Sequence, residues 1–260
     1  MQVAIITGAG SGIGLATAKQ MHDMGLAIVG VGRDQAKLAA LGKEIGDTER
    51  LATLSVDITD DDAPQAIIDL ALERFGRIDF LINNAGIGSP KPLHETDDET
   101  LDRFLGIMLR APFRLARDVI GHMGPGSAIV NVTSTFALVG GRRGGAYSAA
   151  KGGLTSLTQH MACEYGAKGI RSNCVAPGVT MTDMVKERMN DKAFRRMNIE
   201  MTPYPRLGEA EEVAATIAFL CSPGGAYING QTIVVDGGWS STKYLSPEAL
   251  SADWVPAAEE

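Results

Sequence analysis

"TGAGSGIG", residues 7–14, places four glycines in eight positions, directly after the apolar, β-rich run "VAIIT" at 3–7. Strand, glycine turn and helix in that order is the arrangement in which helix N-terminal amides cradle a phosphate. The GxGxxG fingerprint is not met, because Gly8-x-Gly10 leads to Ile13 and Gly12-x-Gly14 leads to Thr17. No Gly-Lys-Ser/Thr follows either, so a P-loop is excluded. What stands there is GxxxGxG, built on Gly8, Gly12 and Gly14. Alone, it reads two ways: a cradle for an anion, or a turn whose glycines serve only close helix–strand packing.

Working outward, six more short apolar runs follow: "LAIVGV" (26–31), "LATLSVD" (51–57), "DFLINNAG" (79–86), "AIVNVTS" (128–134), "GIRSNCVAPG" (169–178) and "GQTIVVDGG" (230–238). Amphipathic stretches such as "GLATAKQMHDMG" and "DAPQAIIDLALERFG" lie between them. Strands alternating with helices predict an α/β fold: a Rossmann-type, doubly wound, seven-stranded, mostly parallel sheet with helices on both faces. No repeat, low-complexity segment or linker interrupts the 260 residues, so one domain over 1–260 is expected. Two segments break the rhythm, a Met- and charge-rich stretch within 179–206 and a tail at 240–260.

Composition narrows the function. A 45% hydrophobic, 21% charged chain has the balance of a soluble globular protein, and a net charge of −7 argues against a nucleic-acid binder. No apolar run is long enough to span a bilayer. The first strand begins at Val3, which leaves no room for a cleavable leader and predicts a cytoplasmic location. Cys163, Cys174 and Cys221 show no CxxC spacing, and the four histidines form no metal-binding pair, so reduced thiols and no metal are expected.

Further landmarks resolve the glycine stretch. "VD" ending at Asp57, "NNAG" (83–86), "NVTS" ending at Ser134, "YSAAK" (147–151), "RSNCVAPGVTMTDM" (171–184) and "INGQTIVVDGG" (228–238) follow it along the chain. From residue 2 to about Trp239 the chain resembles the short-chain dehydrogenase/reductase family, in its compact single-domain type similar to 3-oxoacyl-acyl-carrier-protein reductases. The resemblance implies an oxidoreductase that moves a hydride between nicotinamide and a ketone or secondary alcohol. It assigns Ser134, Tyr147 and Lys151 to catalysis. It assigns Gly8, Ser11, Gly12, Ile13, Gly14, Arg33, Asp57, Ile58, Asn84, Ala85, Gly86, Pro177, Gly178, Val179 and Thr182 to the cofactor, together with Tyr147 and Lys151.

The chemistry suits the residue types. Carbonyl reduction needs a proton donor at the oxygen, and tyrosine's ordinary pKa near ~10 makes it a poor one at neutral pH. Lys151, four residues on along a helix from Tyr147, is expected to lower that pKa, hold the nicotinamide ribose and leave Ser134 to orient the substrate oxygen. One departure from the family stands in "IMLRAPF", where Met108 replaces an asparagine that supports a water reaching the lysine. Either the backbone carbonyl there suffices, or proton supply is altered; a non-catalytic NADP-binding protein is the alternative reading.

For the cofactor, an acid about twenty residues past the glycines falls near Asp34 and would suggest NAD. The family pattern points instead to Gly32, where NAD users carry an acid, and to Arg33, where NADP users carry a base. NADP is therefore expected, with NAD as the alternative and Arg33 as a plain surface charge if so. Met181, Met184, Met189, Met197 and Met201 either line a substrate lid or merely pack it. Arg142 and Arg143 of "GGRRGG" stand where an anionic substrate would meet them, or are solvated. An acyl-carrier substrate is discounted, since no Lys or Arg lies between Arg117 and Arg142 to dock the carrier. A homotetramer is expected by resemblance, pairing helices at roughly 98–120 and 145–167.

Overall fold

The computed structural model describes residues 1–46, 49–88, 91–244 and 247. Most of the 240–260 tail thus lies outside the described residues, as do the side chains of Asp183 and Met184. Strands β1 (Val3–Thr7), β2 (Ala27–Gly32), β3 (Leu51–Ser55), β4 (Phe80–Asn83), β5 (Ala128–Val132), β6 (Arg171–Pro177) and β7 (Thr232–Val235) form one sheet. Its order is β3-β2-β1-β4-β5-β6-β7, and every pairing is parallel. The expected seven-stranded doubly wound sheet is present, without the antiparallel strand that "mostly parallel" had allowed.

Helices α1 (Gly12–Asp23), α2 (Gln35–Ile45), α3 (Ala63–Phe75), α4 (Asp98–Leu105), α5 (Ala111–Val119), α6 (Gly145–Tyr165), α7 (Asp183–Lys186), α8 (Lys192–Arg195) and α9 (Ala210–Cys221) connect the strands. Their ends follow local chemistry. The Asp34 carboxylate accepts from the Ala36 and Lys37 N–H groups, and Asp97 accepts from Thr100 N–H, so each caps its helix. Gly46 and Gly76 close α2 and α3 in the left-handed conformation.

Alternation along the strands divides the core between two faces. Ala4, Ile6, Ile28, Phe80, Ile82 and Val175 pack toward α1, α2 and α9. Val3, Ile5, Val29, Leu81 and Ile129 pack on the opposite side against α3, α5 and Met161 of α6. Strands buried on both faces must be apolar throughout, which is why these runs read as continuous rather than alternating.

A polar thread crosses this apolar interior. Asn83 pairs in register with Asn131, and its amide donates to Asn131 Oδ1 at 2.8 Å. Asn131 donates to Thr158 Oγ1 at 2.7 Å, and the Cys174 thiol donates to the same hydroxyl at 3.0 Å.

Candidate active site

The glycine turn has two physical reasons for its composition. A Cβ on Gly14 would collide with the Gly8 carbonyl oxygen and come within 2.5 Å of Asn84 Nδ2, and one on Gly10 would lie 2.9 Å from Lys37 Cβ of α2. Those two positions serve packing. Gly12 is different: its φ is +53°, a Cβ there would meet Thr182 alone among the described residues, and it lines a cavity. Behind it, α1 opens with neither a side-chain cap nor an acid in its first turn. Free amides at a helix start, approached through a glycine, make a cradle for an anion. That cradle fits the pyrophosphate of a dinucleotide.

Around this turn the parallel sheet opens a cavity of about 560 Å³. Gly8, Ser11, Gly12 and Ile13 line it from the turn; Asn84, Ala85 and Gly86 line it from the end of β4. Pro177, Gly178, Val179 and Thr182 contribute from the end of β6, and Ser134, Tyr147 and Lys151 complete the wall. Asn84 is held in place, since its backbone N–H and amide donate to Thr7 Oγ1 and Thr7 O at 3.0 and 2.9 Å. Gly14, Arg33, Asp57 and Ile58 do not line the cavity. Arg33 and Asp57 face each other at 3.4 Å, both partly exposed, and Asp57 is held below the usual carboxylate range by Thr59 and Arg33 despite its partial burial. Asp34 caps α2 with its carboxylate, so the acid that spacing alone offers for a ribose is already engaged.

Three elements bring the chemical groups together. Ser134 follows β5, and its hydroxyl accepts from Phe136 N–H at 3.2 Å. Tyr147 and Lys151 lie one turn apart on α6, the ammonium 6.0 Å from the ring centre. Lys151 is buried, and its Nζ donates to Val132 O at 2.7 Å. Burial brings its pKa down to about 8. The expectation for Tyr147 needs correction. Burial raises the phenol's pKa, and a hydrogen bond with Ser134 opposes this only in part. The ring packs edge-on against Phe104 in an apolar cluster with Met108 and Ala150, and that desolvation outweighs the hydrogen bond with Ser134.

Met108 is fully buried in a π-helical turn, Gly106–Arg110, which splits the single helix expected at 98–120. A Cβ on Gly86 would lie 3.5 Å from Met108 Sδ and 3.8 Å from Lys151 Nζ, so thioether and ammonium border the same glycine. Pro112, four residues past Met108, has no N–H to return to the Met108 carbonyl, and the wider turn accommodates its ring.

Of the two readings of the methionines, lining and packing, the described residues divide between both. Among the described methionine side chains of this segment, Met197 lines the cavity, while Met201 is 41% exposed. Aromatic groups line it as well: Phe136, Phe194, Tyr204 and Trp239. Phe136 and Trp239 meet edge to face at 5.9 Å, and the indole N–H donates to Met197 O at 2.9 Å. Trp239 and Phe194 were missed in the sequence; a lone aromatic beyond a last strand carries no periodic signal. Arg142 and Arg143 do line the cavity. Among the described residues, no group of three or more His, Cys, Asp or Glu converges as a metal site would, and no helix is long and apolar enough to cross a membrane.

Comparison with known proteins agrees with this geometry. A family model described as Enoyl-(Acyl carrier protein) reductase matches residues 8–240. An uncharacterized short-chain type dehydrogenase/reductase of Sinorhizobium fredii is 36% identical over 99% of the chain, which spans 47% of that protein's length. Cis-4-hydroxycyclohexanecarboxylate dehydrogenase of Sinomonas cyclohexanicum is 38% identical, with 92% of this chain and 97% of that protein covered. The crystal structure of 3-ketoacyl-(acyl-carrier-protein) reductase from Brucella melitensis, complexed with NADH, superposes with a TM-score of 0.83 at 34% identity, covering 92% of this chain and 98% of that one. The chain belongs to the short-chain dehydrogenase/reductase family and is an oxidoreductase of that family.

Proposed function

We propose that the protein is an NADP-preferring dehydrogenase/reductase acting on a ketone or the corresponding secondary alcohol, with Tyr147 as general acid and base. The observation that carries this reading is the convergence of Ser134, Tyr147 and Lys151 on one cavity that is continuous with the glycine cradle at α1. A nicotinamide cofactor, when bound, supplies or accepts the hydride.

The chain's own groups do the rest. The α1 amides and Gly12 hold the diphosphate, Arg33 meets the 2′-phosphate, and Lys151 donates to the ribose while anchored at Val132 O. Asn84, Ala85 and Gly86 on one side and Pro177 to Val179 on the other hold the cofactor between the ends of β4 and β6. Ser134 orients the substrate oxygen toward the phenol. Burial raises the Tyr147 pKa, so the phenol holds its proton at rest, and the Lys151 ammonium one turn away favours its transfer to the substrate oxygen. Proton transfer to the substrate oxygen leaves a phenolate, which the Lys151 ammonium stabilises until a proton from solvent restores the phenol. Binding by groups remote from the reacting carbon brings donor and acceptor together.

The test is turnover of NADPH with a panel of ketones, for the native protein and Tyr147→Phe. Native turnover should be clear, and Tyr147→Phe should retain NADPH binding while losing turnover by ~100-fold or more, the typical weight of a positioned acid. Native-like turnover in the variant would remove Tyr147 from the role.

A further inference from the structure

The cavity's charge is unbalanced toward the positive in a chain whose net charge is −7. Among the described residues, Lys91, Arg142, Arg143, Lys151, Arg188 and Arg206 line it, against Glu212 and Asp236. Both acids are already engaged. Glu212 takes a two-pronged pair from Arg206 at 2.7 and 2.7 Å and accepts from Glu209 N–H at 2.8 Å. Asp236 accepts from the N–H groups of Gly238 and Ser240 at 2.9 and 2.8 Å. Lys91 pairs with Asp97 at 3.3 Å, and Lys151 is anchored at Val132 O. Arg142, Arg143 and Arg188 are left with no carboxylate in reach among the described residues, Arg188 stacking on the Phe194 ring at 4.2 Å.

Their placement is specific. Gly141 packs so closely on Phe136 that a Cβ would lie 2.6 Å from the ring, and Phe136 in turn abuts Trp239. Arg142 and Arg143 therefore stand where the aromatic wall meets the start of α6, between Phe136 and Tyr147 in the chain. Arg143 holds φ at +62°, the one non-glycine residue in that region among those described. A non-glycine residue held in that region is uncommon, and backbone strain of this kind concentrates at ligand-binding sites. Arg188, from the 179–206 segment, lines the same cavity.

We infer that the substrate is an oxo acid or hydroxy acid: its carboxylate meets Arg142 and Arg143, with Arg188 closing over it, while its hydrocarbon body lies along Phe136, Phe194 and Trp239. This rests on the proposed reduction at Tyr147 and extends it to a substrate class. Guanidinium groups suit the role, since each offers paired N–H donors to a carboxylate. Exposed arginines recognise a charge only modestly in water, so the effect belongs on apparent affinity and weakens with salt.

The experiment uses straight-chain oxo acids, levulinate the shortest, each against its own methyl ester. Turnover is measured with NADPH, and binding by calorimetry to protein with and without saturating NADP⁺, which cannot reduce a ketone. At the best chain length the acid should be preferred over its ester by about tenfold or more, the weight of one charge-assisted contact. In Arg142→Gln/Arg143→Gly, and separately in Arg188→Gln, that ratio should fall toward about twofold or less, mainly through KM, and rising salt should erode it in the native protein. Glycine suits the left-handed backbone, so Arg143→Gly removes the charge without opposing the fold. The ratio compares two ligands on one protein, so loss of folded material does not mimic the result. Equal handling of acid and ester by the native protein overturns the inference, as does a preference that survives in the variants. Equal weakening of both, together with weaker NADP⁺ binding, also overturns it, because the arginines would then serve the cofactor. If no ketone is turned over yet acids bind in preference to esters through Arg142 and Arg143, the anion site stands and the proposed reaction falls.

Discussion

Arg33 follows directly on Gly32, so the end of β2 offers a base and no acid. Its present partner, Asp57, is 3.4 Å away with both groups in contact with solvent, so a 2′-phosphate would meet little competition for the guanidinium. Arg33→Ala should weaken NADPH binding by ~1–3 kcal/mol and leave NADH nearly unchanged, as read by fluorescence titration. Loss of equal size for both cofactors would remove the basis for an NADP preference. Met108 poses the second residue-scale question. A thioether cannot donate a hydrogen bond, yet Pro112 leaves the Met108 carbonyl without its ordinary helical donor. That carbonyl is a better candidate for holding solvent than any side chain there. Met108→Asn should therefore change kcat little across pH 6–9 and lower the melting temperature, since an amide would replace a fully buried thioether. A rise in kcat of about tenfold, worth ~1.4 kcal/mol of barrier, would show instead that proton delivery limits the native protein.

At the scale of elements, the segment over the cavity is fastened at its base. Thr180 bridges Gly208, Met181 N–H donates to Gly208 O at 2.7 Å, and Gly208 N–H donates to Val179 O at 3.1 Å. Arg206 and Glu212 add an ion pair that holds the Glu212 pKa down to about 2. A carboxylate with a lowered folded pKa contributes stability above its unfolded value of 4.5, and that contribution fades as pH falls toward about 2. Amide exchange at residues 201–209 should therefore quicken between neutral pH and pH 3 beyond the intrinsic pH trend, and Glu212→Gln should show the quickened exchange already at neutral pH. Unaltered exchange in that variant would show that the backbone bridge alone holds the segment. Elements also explain what the sequence disclosed. The glycine turn and YxxxK were legible because their chemistry demands fixed spacing within one strand–turn–helix or one helical turn. The lining of 179–206 was not, because α7, α8 and the turns between them are too short for a period to tell which face of each methionine points inward. The raised phenol of Tyr147 was equally hidden, since it depends on Phe104, forty-three residues away, closing over the ring.

For the whole molecule, β7 is an edge strand, half-exposed along its length, with Val234 39% exposed. An edge with free backbone groups invites pairing unless something covers it. We propose that a second copy covers it and that the outer faces of α4, α5 and α6, where Phe113 is 49% exposed, meet another, giving the homotetramer the resemblance implies. Sedimentation at micromolar concentration should show a tetramer; a lone monomer would contradict this. The polar thread from Asn83 through Asn131 and Thr158 to Cys174 has a bearing on how the chain reaches that state. Runs of Val, Ile and Leu slide past one another with little preference, and a parallel sheet assembles from segments far apart in the chain, where misalignment is easy. An amide that finds its mate in only one alignment acts as a vernier: a slip of one residue between β4 and β5 takes the Asn83 amide away from Asn131 Oδ1. The same two asparagines that carry no substrate thus decide at what height the strands end, and so whether a crevice forms there at all.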